Sequence, residues 1–457
     1  MLLNQQKSTS FPVGYLQGYK KPMNYKSRSS NSSIKTGISN YIVDKQFKPQ
    51  MLAEDILANY MTAYYDGQIL YCYKDGVYIP GGEMVFKKIA HDLLGIDVKK
   101  NCIEEALYLA KIQATLSDRN MINPDDGLLN IRNGLLNWRT GKIVPHSKDR
   151  ISTVQYPIIY EPYVRNESVE NFLYSIVSAE TVDTLTEIIG YCLLPNTKYE
   201  KAFMFTGTGA NGKSTFINML TSFLGRENVS NIELQDLENH KFKVAELKDK
   251  SLNTFADISH RGLVKSSIFK SVVSGDRLTA ERKNKDPFEF TPFAKLIFSA
   301  NELPKSSDFT DGFFRRLLII PFENKFTPGK ADVNLLEKIT SPNALSALLN
   351  LALEGLLRLD LYNKFTETDQ TIAALQKYRK DTDNVANFMD ECCLLDECNT
   401  YGTKKMYEEY QKWSHESGLF PLGKIKFNNR LETQYGLTKK RFKGEKSERW
   451  IGISVRS

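Results

Sequence analysis

The stretch Gly207-Thr208-Gly209-Ala210-Asn211-Gly212-Lys213-Ser214 decides the reading of this chain. It matches the pattern G-x-x-x-x-G-K-[ST] at every fixed position. Before it, Ala202-Phe203-Met204-Phe205 is an unbroken apolar run of strand length. After it, residues 215–224 carry apolar side chains at helical spacing. Strand, glycine-rich turn and helix in that order make an anion site for physical reasons. The glycines let backbone N–H groups turn inward around phosphate oxygens. The helix N-terminus adds a partial positive charge of roughly half a unit. Lys213 can reach the outer phosphates of a nucleoside triphosphate, and the Ser214 hydroxyl can ligate Mg2+. The expected ligands are therefore ATP and Mg2+, held by Gly207, Thr208, Gly209, Ala210, Asn211, Gly212, Lys213, Ser214 and Thr215. A chance glycine-rich turn is the bland alternative, and the setting argues against it.

Outward from this loop, an acid is needed to anchor the metal. The run Ser251-Leu252-Asn253-Thr254-Phe255-Ala256-Asp257 supplies one, with Asp257 at the tip of a strand. The next residue is Ile258 rather than a second acid. The group that orients the attacking water therefore stays open between Asp257 with the metal and a glutamate from elsewhere. Residues 293–301 form a second apolar strand ending in the amide of Asn301, which can hydrogen-bond a terminal phosphate or cap a helix. Arg315 and Arg316 precede the apolar run 317–322. An arginine leading such a strand can project into a neighbouring subunit's nucleotide and stabilise charge on the transferred phosphoryl group. Arg316, adjacent to the strand, is the first choice and Arg315 the second, against the alternative of a surface ion pair.

Two segments read as facing a polyanion. Residues 274–290 place Arg282, Lys283 and Lys285 on the turn of a β-hairpin, where a pore would bring them against DNA phosphates. Residues 424–449 hold nine basic and three acidic side chains. There Lys439, Lys440 and Arg441 would sit on a wing that binds single-stranded or duplex DNA, a solvated face being the alternative.

The whole chain frames these motifs. Its 457 residues exceed one ordinary core, so two to four domains are expected. A net charge of +7 permits a nucleic-acid partner without requiring one. No apolar run is long enough to span a bilayer and no signal peptide opens the chain, so no membrane association is expected. Six cysteines in a chain this long make no disulfide framework, and Cys392, Cys393 and Cys398 lack a zinc-ligand spacing. A cytoplasmic protein with reduced thiols is expected. Residues 1–48 hold eight Lys or Arg against the single acid Asp44 and read as a flexible basic arm. Residues 49–163 read as a small α+β domain with a helix over 51–65 and a hairpin turning at Asp75-Gly76. Residues 164–199 read as a helical collar and 200–380 as an α/β ATPase domain. Residues 384–457 read as a winged-helix-like DNA-binding domain, with helices near 385–395, 403–417 and 424–435.

The motifs stand in the order of a known family. The phosphate loop, then Ala256-Asp257-Ile258-Ser259, Ser274-Gly275-Asp276, Ala300-Asn301-Glu302-Leu303-Pro304 and Phe313-Phe314-Arg315-Arg316-Leu317 resemble superfamily 3 helicases. More narrowly, with Leu129-Asn130-Ile131-Arg132-Asn133-Gly134-Leu135-Leu136, the chain looks like the helicase portion of phage and plasmid primase-helicases of the poxvirus type. It is also similar in layout to replication initiators of staphylococcal pathogenicity islands. The resemblance implies an AAA+-like core, a hexameric ring and 3′-to-5′ movement on single-stranded DNA. By motif match it implies the loop lysine at Lys213, the metal acid at Asp257, the sensor at Asn301 and the finger at Arg316. The expected function is an ATP-dependent DNA helicase replicating a phage or mobile element in a bacterial host cytoplasm, with a primase or other replication proteins as partners. An origin-binding initiator is the nearer alternative, and a P-loop kinase of a small metabolite the one from another class.

Overall fold

The computed structural model describes residues 37–95, 98–118, 121–259, 262–263, 265–326, 332–445 and 447–456. The fold is mixed α/β with a central parallel sheet. It divides into two compact units, Met1–Tyr60 with Glu83–Gln113, and Met61–Gly82 with Ala114–Ser457.

In the first unit, most of the expected basic arm lies outside the described residues, but residues 37–48 are folded. Ile42–Val43 and Gln46–Phe47 pair as a short hairpin. Asp44 and Lys45 between them both take positive φ, the geometry that suits a two-residue turn. Tyr41 is buried and donates to Asp55 Oδ2 at 2.6 Å. An aromatic ring with a hydrogen-bonded hydroxyl is thus enough to pin the end of an otherwise polar segment. The helix expected over 51–65 is shorter. It runs Pro49–Asp55, with proline in its first turn, and widens into a π-turn at Ile56–Tyr60. Residues 63–65 belong to the second unit, where they pair with Leu70–Lys74 as a strand, so the sheet outweighs local helix periodicity there.

In the second unit, Leu70–Lys74 and Val77–Pro80 form the expected hairpin, with Asp75 and Gly76 at positive φ. The central sheet follows. Its strands are β1 (Ala202–Thr206), β2 (Val229–Ser230), β3 (Leu252–Phe255), β4 (Lys295–Ala300) and β5 (Leu317–Pro321). All neighbours are parallel, in the spatial order β2-β3-β4-β1-β5. Phe203 and Phe205 of β1 enter one hydrophobic cluster, Ala202 and Met204 the other. Burial on both faces explains why the strand reads as a continuous apolar run rather than an alternating one. Helices Glu167–Ile176, Ala179–Tyr191, Lys213–Leu224 and Pro342–Tyr362 supply the first cluster. Helix Ser267–Ser274 supplies part of the second.

Helices Asn384–Cys392, Thr403–Glu416 and Lys424–Tyr435 then pack on a three-stranded antiparallel sheet around Phe388, Tyr410, Phe427 and Trp450. Its strands lie in the order Cys393–Gly402, Arg449–Val455, Thr438–Lys440. The first of these takes the end of the helix expected near 385–395. Among the described residues, no helix is long and apolar enough to cross a membrane.

A candidate nucleotide site at the carboxyl edge of the sheet

β1 ends at Thr206 and helix Lys213–Leu224 begins seven residues later, so the glycine loop lies on the sheet's carboxyl edge. Gly209, Ala210 and Gly212 all take left-handed φ values, of 94, 50 and 86°. That curvature turns successive N–H groups toward one centre. A Cβ on Gly212 would collide with the Ile176 side chain, while one on Gly209 would meet nothing within 4 Å. The loop is therefore closed toward the protein and open toward solvent, as a phosphate cradle must be. It is braced by the chain leaving β5. Asn211 Nδ2 donates to the Phe322 carbonyl at 3.1 Å, and the Phe326 N–H donates to the Ala210 carbonyl at 2.8 Å.

Lys213 is buried and folds back over this loop. Its ammonium donates to the Gly207 carbonyl at 2.6 Å and to Asn211 Oδ1 at 3.0 Å. Burial lowers its pKa, and the charge of Asp257 opposes that fall. Both present acceptors are neutral, so a phosphate oxygen would be a stronger partner for the same cation. Ser214 is exposed in the first turn of the helix. Asp257 lies exposed two residues beyond the end of β3, at φ 59°. Its N–H donates to Ser299 Oγ at 3.3 Å, and the Ile258 N–H to the Ser299 carbonyl at 3.0 Å. Ala300 pairs with Thr206, so Asn301 and Gly207 leave their strands at the same level. The register thus brings together Lys213, Ser214, Asp257 and Asn301. These residues fit a triphosphate and a hard divalent cation: backbone donors and an ammonium for the anion, a hydroxyl and a carboxylate for the metal.

The two arginines lie elsewhere. β5 runs parallel to β1 with Leu317 opposite Ala202 and Pro321 opposite Thr206. Arg315 and Arg316 precede β5, so a full strand, about 13 Å at ~3.3 Å per residue, separates them from their own phosphate loop. Arg316 is only 12% exposed. Its guanidinium donates to Ser274 Oγ at 2.6 and 3.1 Å and to the Gly312 carbonyl at 2.5 Å. Arg316, the first choice for the finger, is thus hydrogen-bonded to Ser274 and Gly312 of its own chain. Arg315 is 63% exposed. Glu200 Oε2 stands 3.3 Å from both guanidinium groups.

The basic turn and the segment around strand Thr438–Lys440 show the same sorting. Leu278–Ala280 and Phe288–Phe290 pair as the expected hairpin, and Lys283 and Lys285 are exposed at its turn. Arg282 is turned back, donating to Gln68 Oε1 at 3.0 Å and lying 4.6 Å over the Phe288 ring. Lys440 and Arg441 are exposed, whereas Lys439 pairs with Glu432 at 2.7 Å and covers Trp450 at 4.6 Å. Arg282 and Lys439, expected to face DNA, therefore each have partners within their own fold. Lys439 stands directly opposite Trp450 in the antiparallel sheet, so the two side chains share a face. Ser299 and Gln68 went unnoticed in the sequence. A serine within an apolar strand and a glutamine in a loop carry no local signal of the partner they meet in three dimensions.

Three sequence-family profiles match consecutive parts of the chain. They are described as D5 N terminal like over residues 58–178, a family of unknown function (DUF5906) over 205–316, and Poxvirus D5 protein-like over 380–454. A protein named as a helicase in Acanthamoeba polyphaga mimivirus is 28% identical over 168 residues, 35% of this chain and 17% of that protein. Another, of Invertebrate iridescent virus 3, is 24% identical over 328 residues, 62% of this chain and 34% of that protein. The chain thus spans about a third or less of the length of these curated relatives. A solved structure of the NrS-1 C-terminal region superposes with a TM-score of 0.50 at 14% identity, covering 89% of this chain and 100% of that one, which speaks for the fold alone. D5 descriptions stand at both ends of the matched span, and the two relatives named as helicases are viral, which supports a poxvirus D5-like primase-helicase family for this chain.

Proposed function

We propose that this chain is the ATP-driven DNA helicase motor of a viral or other mobile replicon, acting as a ring of copies. The observation that carries the reading is the separation of two half-sites. Lys213, Ser214, Asp257 and Asn301 gather at the carboxyl edge of the sheet, and Arg315 lies at the amino edge. A single copy cannot bring the two together, whereas copies arranged head to tail can. A closed head-to-tail arrangement is a ring, and the resemblance to superfamily 3 helicases supports six copies and an AAA+-like core.

In each interface Lys213 would exchange its two neutral acceptors for the outer phosphates of ATP. Ser214 and Asp257 would hold Mg2+, which when bound neutralises charge on the phosphates. Asn301 would orient the terminal phosphate or the water. Arg315 of the next copy, rather than the tethered Arg316, would stabilise the charge that develops in transfer. Lys283 and Lys285 would grip single-stranded DNA as nucleotide turns over.

A second reading, an origin-binding initiator, is favoured by charge segregation. Residues 384–416 hold seven acids and three bases, whereas 424–457 hold three acids and ten bases. The basic part includes the exposed Lys424 and Lys426 on helix Lys424–Tyr435, and the exposed Lys440 and Arg441 at the end of strand Thr438–Lys440. Such a face suits duplex DNA, and the two readings can coexist.

The deciding experiment is ATP turnover with and without single-stranded DNA, for the parent and for Lys213→Ala. Stimulation by DNA that Lys213→Ala abolishes supports the motor. Turnover indifferent to DNA sinks it and favours a kinase of a small metabolite. DNA binding without turnover favours the initiator.

A further inference from the structure

The basic hairpin and the loop joining strands Ala63–Tyr65 and Leu70–Lys74 are linked by a reciprocal pair of hydrogen bonds. Arg282 Nη1 donates to Gln68 Oε1 at 3.0 Å, and Gln68 Nε2 donates to the Asp286 carbonyl at 3.2 Å. One side-chain amide therefore holds both sides of the turn that carries Lys283 and Lys285. Gln68 is itself fixed. Its N–H and that of Ile69 donate to Asp66 Oδ1, at 2.9 and 2.7 Å, and the buried Asp66 pairs with Lys248. Lys248 also stands 5.5 Å from the Phe288 ring, which Arg282 covers at 4.6 Å.

The hairpin needs such support. Each of its strands has three residues, and a two-stranded ribbon of that length is marginal in water. The same small sheet grips the segment entering β3, since Tyr71 donates to Asp249 Oδ2 at 2.8 Å. It thus contacts both the basic turn and the approach to the strand that ends near Asp257.

We propose that Gln68 is a positioning residue for DNA: it clasps the turn at Arg282 and Asp286, so that Lys283 and Lys285 meet the phosphates while Arg282 serves the clasp and touches no phosphate. The proposal rests on the helicase reading and deepens it. It assigns the DNA grip to two of three adjacent cations and makes the 63–80 sheet part of that grip. The partner is the sugar-phosphate backbone of a single strand, recognised by charge.

The test uses the full chain, a labelled oligothymidylate and five variants: Gln68→Ala, Arg282→Ala, Gln68→Ala/Arg282→Ala, Lys283→Ala and Lys285→Ala. Three quantities are read: amide hydrogen exchange over 281–287, oligonucleotide affinity across a salt series, and ATP turnover without DNA. Gln68→Ala should speed exchange at the turn by about tenfold. It should weaken binding about fivefold with an unchanged salt slope, as loss of one hydrogen-bonded clasp implies. Turnover without DNA should stay within about twofold. The double variant should bind no worse than either single one, because both remove the same clasp. Lys283→Ala and Lys285→Ala should each cut the salt slope by about 0.7, and Arg282→Ala should leave it alone. A slope lost with Arg282→Ala would show that Arg282 itself meets phosphate and would overturn the proposal. So would Gln68→Ala binding as tightly as the parent, or losing DNA-free turnover in proportion to binding. A parent that binds no oligonucleotide overturns the helicase reading and the positioning role together. A parent that binds the oligonucleotide, with Gln68→Ala binding it equally well, overturns only the clasp.

Discussion

Arg315 and Lys213 stand at opposite ends of adjacent parallel strands, fixed there by the pairing of Leu317 with Ala202 and Pro321 with Thr206. If Arg315 completes the nucleotide site of the next copy, the two residues need not come from intact copies. Arg315→Ala should lower DNA-stimulated ATP turnover roughly a thousandfold while nucleotide still binds. Lys213→Ala should be inactive for a different reason. Mixing the two inactive proteins in equal amounts should restore about a quarter of the parental rate, the share of interfaces that pair an intact lysine with an intact arginine in a closed head-to-tail ring. No recovery on mixing would remove Arg315 from the shared site.

Arg316→Ala should behave otherwise. Its guanidinium holds Ser274 and the Gly312 carbonyl, so truncation leaves partly buried acceptors without a donor. The cost should be about 1–3 kcal/mol, read as a lower unfolding midpoint. A variant as stable as the parent but dead in turnover would return the finger to Arg316.

The contrast between these neighbours marks what was legible. The strand, glycine loop and helix from Ala202 to Leu224 were readable because all their parts are contiguous and each has a separate physical reason. β1 and β5 were readable because burial on both faces leaves unbroken apolar runs. The Asp75-Gly76 hairpin was readable because positive φ restricts the residue types. The hydrogen bonding of Arg316 to Ser274 was not, since it depends on where helix Ser267–Ser274 passes. Nor was the occupation of Arg282, whose partner is 214 residues away. Strand Cys393–Gly402 was missed because only one of its residues is buried and its positions show no alternation of buried and exposed side chains. Residues 63–65 were read as helix end because a partner strand, not their own spacing, decides their state.

Lys439 and its two neighbours should separate on DNA. Lys439 is held by Glu432 and lies over Trp450, so Lys439→Ala should lower stability and leave the salt slope of duplex binding unchanged. Lys440→Ala and Arg441→Ala should each lower that slope by about 0.9 with little effect on stability. The measurement is duplex affinity by fluorescence anisotropy over a salt series, beside a melting curve for each variant. Equal slopes for all three would mean that the wing does not touch phosphate.

Gly212 and Gly209 both need left-handed backbone, but only Gly212 lies against Ile176. Alanine at either position carries the strain of positive φ, about 1–2 kcal/mol. At Gly212 the new methyl also presses on a buried isoleucine at the end of helix Glu167–Ile176, adding about 1–3 kcal/mol. Without nucleotide, Gly212→Ala should therefore melt well below Gly209→Ala. Indistinguishable melting temperatures would mean that the close approach of the loop to Ile176 is relaxed in solution.

Lys295 gives the protein a pH signature independent of nucleotide. It is fully buried in β4, donates to the Leu194 and Phe293 carbonyls and covers the Tyr191 ring at 4.6 Å. Burial drives its pKa down to about 7, against the smaller opposing pull of Cys192 and Asp125. The unfolded chain keeps an ordinary lysine near 10.4. Between those values the unfolded state binds more protons than the folded one, so stability rises with pH. From pH 7 to pH 8.5 the gain should be about 1–2 kcal/mol, seen as a rising unfolding midpoint. Thiol burial acts in the opposite sense only at higher pH, since Cys192 is pushed up to about 12 from an ordinary value near 9. Lys295→Met should remove the rise while keeping most of the side-chain volume. A parent midpoint that is flat or falls across this window, or a Lys295→Met variant that rises equally, would mean that the buried amine stays charged on the strength of its two carbonyls and the tyrosine face.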